Sequence, residues 1–216
     1  MRLYLSSYRL GSGLSQLNSL LRGQKIIAVI KNALDMIPDQ KRNEYEKNVY
    51  CPKQELVHSG YAAEELDLRQ YFNFPGELEE KLLQFDFVWA IGGNAFLLRK
   101  AMKYSGFGSV IAKLLASDNI AYGGFSAGAV VAAPSLRGIE IMDDPNTEAP
   151  NYDSEVIWDG LNLIDFHIVP HFQSDHPEAH LAALAAAHYE NLRIPYQALR
   201  DGEVLIVDGE QGLRKI

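Results

Sequence analysis

The sequence predicts an α/β fold: three layers, with a doubly wound, mostly parallel sheet covered by helices on both faces. Two observations lead there. Short apolar runs alternate with longer amphipathic ones along the chain. One pentapeptide, Gly124-Phe125-Ser126-Ala127-Gly128, also stands between an apolar run and an alanine-rich one. It reads as a strand, a sharp turn and a helix with a serine at the apex, the layout of a nucleophile elbow.

Arg2 to Leu5 opens the sheet, and the β-branched run Lys25 to Ile30 reads as a strand buried on both faces. Residues 39–47 are charged and helical, residues 56–63 carry no clear period, and Glu65 to Leu68 is a short candidate strand. After Pro75-Gly76, Leu78, Leu82, Leu83 and Phe85 space out as a helix face. Phe87 to Ile91 is a strand that runs into Gly92-Gly93-Asn94, and a helix bearing Phe96, Leu97 and Leu98 follows. Val110, Ile111, Leu114 and Leu115 mark the next helix, and Ile120 to Gly123 the strand before the serine. Ala127 to Ala133 reads as the helix behind it, stopped by Pro134. Arg137 to Asn162 is acidic and loop-rich. Phe166 to Val169 is a strand ending at Pro170-His171, His180 to Leu192 a helix and Val204 to Val207 a late strand. No linker divides the chain, so residues 1–216 are expected to form one domain.

Composition narrows the partners. A hydrophobic fraction of 47% with 22% charged residues is that of a soluble globular protein. A net charge of −8 argues against nucleic acid, because neutralising a phosphate backbone needs clustered Lys and Arg. The single cysteine, Cys51, allows no internal disulfide and fits a reducing cytoplasm. No apolar run reaches the length of a membrane span, and the N-terminal one is too short for a signal peptide.

In an open α/β sheet, sites form outside the carboxyl ends of the strands. Gly92-Gly93-Asn94, Ser126 and His171 all fall at such ends. A serine hydroxyl needs a base, and His171, just past a strand, is the natural one at neutral pH. The other histidines have plainer expectations. His167 lies deeper in the strand and reads as a core residue, while His176, His180 and His188 read as solvated positions on or near the following helix. A carboxylate should fix the imidazole tautomer; the candidates are Asp201, in a turn before the late strand, and Glu140, Asp143 and Asp144 in the acidic loop. The oxyanion needs two backbone donors, for which Ala127 and the Gly92-Gly93 pair are candidates. The plainer reading of Ser126 is an N-cap.

Cofactor signals are weak. Gly92-Gly93-Asn94 completes neither G-x-G-x-x-G nor a Walker A pattern. His171, Asp175, His176, Glu178 and His180 are crowded, but Pro177 interrupts them and no zinc-site spacing is present. No metal and no cofactor are expected.

Taken together, these segments resemble the peptidase E family of serine peptidases (aspartyl dipeptidases), which have a class I glutamine-amidotransferase-like fold. The resemblance is carried by Ala90-Ile91-Gly92-Gly93-Asn94-Ala95-Phe96, by Gly124 to Ala129, by Leu161-Asn162-Leu163 through Val169-Pro170-His171-Phe172, and more weakly by Leu199-Arg200-Asp201-Gly202. It implies Ser126 as nucleophile and His171 as base. It puts the triad acid, usually Glu in the family, at Asp201, with Glu140 as the alternative. One departure concerns specificity. The family ties its preference for an N-terminal aspartate to an arginine on the helix after the histidine, and residues 177–187 contain no Arg or Lys. Arg193 and Arg200 are the remaining candidates.

The expectation is a cytoplasmic serine peptidase that cleaves short peptides, dipeptides above all, through an acyl-enzyme, with Asp-Xaa preference and a homodimer left open. Gly92, Gly93, Asn94 and Ala127 would bind substrate and oxyanion. An α/β-hydrolase esterase is disfavoured, because only 45 residues separate Ser126 from His171. A glutamine amidotransferase would want cysteine at the elbow. The remaining alternative is a catalytically silent binding or regulatory module on the same fold.

Overall fold

The computed structural model describes residues 1–23, 25–209 and 212–216. Its centre is a seven-stranded sheet. The strands are β1 (Arg2–Ser6), β2 (Ile26–Ile30), β3 (Ala62–Glu65), β4 (Phe87–Ala90), β5 (Ala121–Phe125), β8 (Val204–Asp208) and β9 (Gly212–Lys215), in the order β3-β2-β4-β5-β1-β8-β9. The first five are mutually parallel; β8 and β9 close one side antiparallel.

Alternation along the strands explains the layers. Leu3, Leu5, Ala28, Ile30, Val88, Ala90 and Tyr122 face one core, while Tyr4, Ile27, Val29, Phe87, Trp89 and Ala121 face the other. Strands buried on both faces read as continuous apolar runs, which is why β2 and β4 were visible in the sequence. The first core is covered by α4 (Pro75–Leu82), α5 (Ala95–Tyr104), α6 (Phe107–Ala116) and the short α7 (Ala127–Val130). The second is covered by α1 (Leu14–Leu20) and α3 (Pro52–His58). The charged α2 (Asp39–Asn48) buries no residue.

A second unit stands beside the sheet. β6 (His167–Val169) pairs in parallel with β7 (Tyr196–Ala198), and α8 (Ala179–Leu192) crosses between them. Ala182, Ala185, Ala186 and Tyr189, at helical spacing, pack on Val169.

Several expected elements are corrected. The strand preceding His171 belongs to this two-stranded sheet, not to the main one. The strand expected at Glu65 to Leu68 is instead β3, at Ala62–Glu65, and Leu68–Tyr71 forms a 3₁₀ turn. The helix behind the serine stops at Val130 rather than Ala133. The carbonyls of Val131, Ala132 and Ala133 accept N–H groups of Leu161, Leu163 and Asn162, so the acidic loop is bound there in place of a further helical turn.

Gly128 sets how close the elbow comes to the sheet. A Cβ at this position would lie 2.0 Å from the Ala90 carbonyl oxygen at the end of β4. Backbone cannot yield as a flexible side chain does. Gly128→Ala is therefore expected to cost at least about 3 kcal/mol in chemical denaturation, the upper end of the overpacking range. Loss of under about 1 kcal/mol would show that the elbow has slack.

Candidate active site

Four strand ends build the site. β5 delivers Ser126, β4 delivers Gly92 and Gly93, β1 delivers Ser7, and β6 delivers His171 two residues past its end. Ser126 sits at φ 49°, ψ −117°, a conformation L residues rarely adopt. Such strain persists only where the surroundings over-determine it. Here the Ser126 N–H is held at 3.2 Å by the carbonyls of both Ser6 and Ser7, and its own carbonyl accepts the N–H groups of Ala129 and Val130 at 2.9 Å. The plain N-cap reading does not apply, since the Ser126 side chain makes no capping bond. Its hydroxyl points at histidine instead. His171 also has a left-handed backbone, at φ 61°.

The structure brings together Ser126, His171 and Asp201. Ser126 Oγ lies 3.2 Å from His171 Nε2, and His171 Nδ1 lies 2.8 Å from Asp201 Oδ1. A carboxylate can only accept, so Nδ1 carries the proton and Nε2 presents its lone pair to the serine hydroxyl. His171 is 1% exposed. Burial pushes its pKa below the usual imidazole value, with Asp201 pulling it back up and His176 adding to the depression. The shift favours the neutral ring, the form a general base requires.

Glu140, the alternative acid, is elsewhere. Its carboxylate accepts the N–H of Gly138, two residues away, and among the described residues no hydrogen bond or ion pair joins it to His171. Asp143 is nearer. It lines the same cavity as Ser126 and accepts the Ala95 N–H at 2.8 Å. Burial is the main reason its pKa is raised to about 7.

Asn94 also lines the cavity, with its side chain engaged by neighbours. Its carbonyl caps α5 by accepting from Leu97 N, and its amide nitrogen donates to Asp144 O and Thr147 Oγ1, each bond at 2.9 Å. The side chain anchors the acidic loop and has little left for a substrate. Gly93 is constrained by its backbone. Its φ of +135° and a Cβ that would lie 2.5 Å from Ala33 O both require glycine. Gly92 and Gly93 line the cavity beside Ser126. Ala127 opens α7, where first-turn N–H groups have no intrahelical acceptor.

Two residues escaped the sequence. Ser7, fully buried, accepts the His171 N–H at 2.8 Å and donates to Asp201 Oδ1 at 2.8 Å, with Leu199 O at 3.2 Å as the weaker acceptor. His176 is not solvated as expected; its ring stacks on His171 with centroids 3.7 Å apart. Tyr8 packs edge-on to His171 and also contacts His176. His167, by contrast, is buried under Tyr189. Of the crowded residues around Pro177, only His171, His176 and Glu178 come close together, while His180 Nδ1 is 3.0 Å from Pro177 O.

The cavity over Ser126 has a volume of about 630 Å³, within the roughly 300–1,000 Å³ of small-molecule sites. Its walls include Tyr8, Leu34, Met36, Ile37, Tyr45 and Tyr50, the acids Glu46, Asp143, Asp144 and Glu178, and the cations Lys41 and Arg42. Neither Arg193 nor Arg200 lines it; Arg200 hydrogen-bonds Gln173.

Residues 16–214 match the model of peptidase family S51. The chain belongs to peptidase family S51. It is 35% identical over 126 residues to an uncharacterized peptidase of Listeria monocytogenes, covering 58% of each chain. It is 30% identical over 145 residues to a peptidase E of Streptomyces coelicolor, covering 64% of this chain and 55% of that one. The matched stretches thus span less than two thirds of these relatives' length. Over the whole chain the structure is similar to a crystal structure of a candidate peptidase E from Listeria monocytogenes, with a TM-score of 0.78, 25% identity and 97% of that chain covered. The mostly parallel sheet agrees with the glutamine-amidotransferase-like fold expected from the sequence. Among the described residues no helix is long and apolar enough to cross a membrane.

Asp143 gives a stability test. Its pKa of about 7 in the folded chain lies above the ordinary carboxylate value, so folding favours its protonated form. Stability from this group is complete below the unfolded pKa of about 3.9 and is lost as pH rises through about 7. Asp143→Asn, which cannot ionise, should match the parent near pH 4 and become increasingly more stable up to pH 8, read by denaturant midpoints. A pH-independent difference would show that burial does not raise this group.

Proposed function

We propose that this chain is a serine peptidase that hydrolyses short peptides, dipeptides foremost, through an acyl-enzyme. The observation that carries the reading is the unbroken line from Ser126 Oγ to His171 Nε2 and from His171 Nδ1 to Asp201, facing a cavity of small-molecule size. Family membership supports the peptidase class.

In this mechanism Ser126 Oγ attacks the scissile carbonyl carbon while His171 Nε2 takes its proton. The oxyanion so formed is held by the backbone N–H groups of Gly93 and Ala127. Collapse breaks the C–N bond, and His171 returns the proton to the leaving amine. Water then repeats the sequence on the acyl-serine, releasing the acid and restoring Ser126. Asp201 keeps the tautomer and stabilises the imidazolium. Ser7 holds both Asp201 and the His171 backbone in register.

Specificity follows from charge. Asp144 and Glu178 line the cavity and form no ion pair with Lys or Arg among the described residues, and Asp143 beside them carries only part of a charge near neutrality. A substrate aspartate placed near them would be repelled. The α-ammonium of a short peptide would be welcome there. We therefore favour substrates with neutral or basic N-terminal residues over Asp-Xaa.

A dipeptide panel tests this. Ser126→Ala should abolish turnover with the fold intact by circular dichroism. Asp201→Asn should lower kcat on the order of 10³- to 10⁴-fold, whereas Glu140→Gln should stay within about twofold. Full activity in Ser126→Ala, or a larger loss from Glu140→Gln than from Asp201→Asn, would sink the assignment. Asp-Xaa as the fastest substrate would overturn the specificity.

The pH profile checks the base. Because the His171 pKa is lowered, the neutral, competent form persists to lower pH. The acid limb of kcat/KM should fall below the ordinary imidazole value of about 6.5; a limb above it would contradict the neutral buried ring.

A further inference from the structure

Three donors stand together at the wall of the cavity, of which the peptide-cleaving reading gives His176 no role and Glu178 no part in the chemical steps. Glu178 Oε2 is 4.0 Å from His171 Nε2 and 4.0 Å from His176 Nδ1. One donor atom from each of the three residues lies within 4.8 Å of the other two. Some point is then within about 2.8 Å of all three atoms, against roughly 2.0–2.2 Å for zinc bonds to nitrogen or carboxylate oxygen. A contraction of less than about 1 Å per donor would close the site.

We propose that a borderline-soft divalent cation, with Zn²⁺ as the type, binds His171, His176 and Glu178 and switches the enzyme off. Two imidazoles and a carboxylate with an open fourth position are a donor set suited to zinc. Asp201 supplies the outer carboxylate that metal-bound histidines use: it accepts the Nδ1–H hydrogen bond and leaves the Nε2 lone pair facing outward. His176 can turn to meet the ion. It lies in a turn, its side chain is 23% exposed, and its Nδ1 is held by the Glu178 amide at a long 3.2 Å. His176 is the ring that must tilt, since two parallel imidazoles cannot both aim lone pairs at one ion.

Inhibition follows from the lone pair. His171 Nε2 has one, and it either accepts the Ser126 proton or binds the cation. With the cation bound, the hydroxyl loses its base and no acyl-enzyme forms. Occupancy is independent of the peptidase reading, whereas loss of turnover rests on it.

Isothermal titration calorimetry of Zn²⁺ into the wild-type protein, beside dipeptide turnover under rising ZnCl₂, tests the two parts separately. The expected result is one Zn²⁺ per chain, inhibition that tracks occupancy, recovery with EDTA, and no effect of Mg²⁺, which prefers oxygen ligands. His176→Phe keeps a ring against His171 but has no donor, and Glu178→Gln removes the charge. Each should weaken binding and inhibition by at least about tenfold, measured against its own metal-free rate. No binding, or binding and inhibition unmoved by both substitutions, would overturn the proposal. If no peptide is turned over, the calorimetry still decides the site, and the failure belongs to the peptidase reading.

Discussion

The hydroxyl of Ser7 ties the two halves of the molecule into one site. Ser126 grows from the main sheet, and His171 grows from a separate two-stranded sheet with its own small core. Nothing in strand pairing forces these units into register. Ser7, at the end of β1, accepts the backbone N–H of His171 and donates to Asp201 Oδ1. The shorter bond to Asp201 is charge-assisted and fixes the direction of the single hydroxyl proton. The neighbouring backbone adds to the join: Ser7 N donates to Glu203 O, Phe172 N to Leu199 O, and the carbonyls of Ser6 and Ser7 hold Ser126 N. One short stretch at the end of β1 therefore positions Ser126, His171 and Asp201.

That stretch is fully buried, and burial gives it force. In a dry setting an unmade hydrogen bond costs its full desolvation, on the order of 1–3 kcal/mol. The network is complete around His171, so the ring has little freedom to rotate away. The same desolvation keeps the ring neutral. Orientation and pKa of the base thus have one physical origin.

How much of this was legible in the sequence follows from the kind of signal each part leaves. The doubly buried strands β2 and β4 leave apolar runs, and the elbow leaves two glycines around a serine because backbone packs against backbone there. β3 was misplaced because, as an edge strand with exposed glutamates, it has no apolar stripe. α7 was drawn too long because alanines favour helix locally, whereas Val131 to Ala133 spend their carbonyls on a segment some thirty residues away. Asp201 could be proposed from its turn, but only geometry separates it from Glu140. Ser7 left no trace, since one serine at a strand end has no spacing to read. His176 looked like a helix-flanking surface residue because stacking on His171 depends on the fold of the turn between them.

The charges around the base show how function and exposure trade against each other. A neutral imidazole whose Nδ1 is bound to a carboxylate presents a basic lone pair, and the cavity needs that lone pair uncovered to receive the serine proton. Nearby carboxylates suit a substrate ammonium, yet the same field attracts any cation. Asp143 is set apart by burial, which raises its pKa and so limits the negative charge it contributes near neutrality. Glu178 is more exposed and stands beside both His171 and His176. The arrangement that suits His171 to the proposed role of base therefore also suits it to the proposed role of ligand, and which of the two it fills depends on what occupies the cavity: a peptide that buries the lone pair against Ser126, or a cation that takes it.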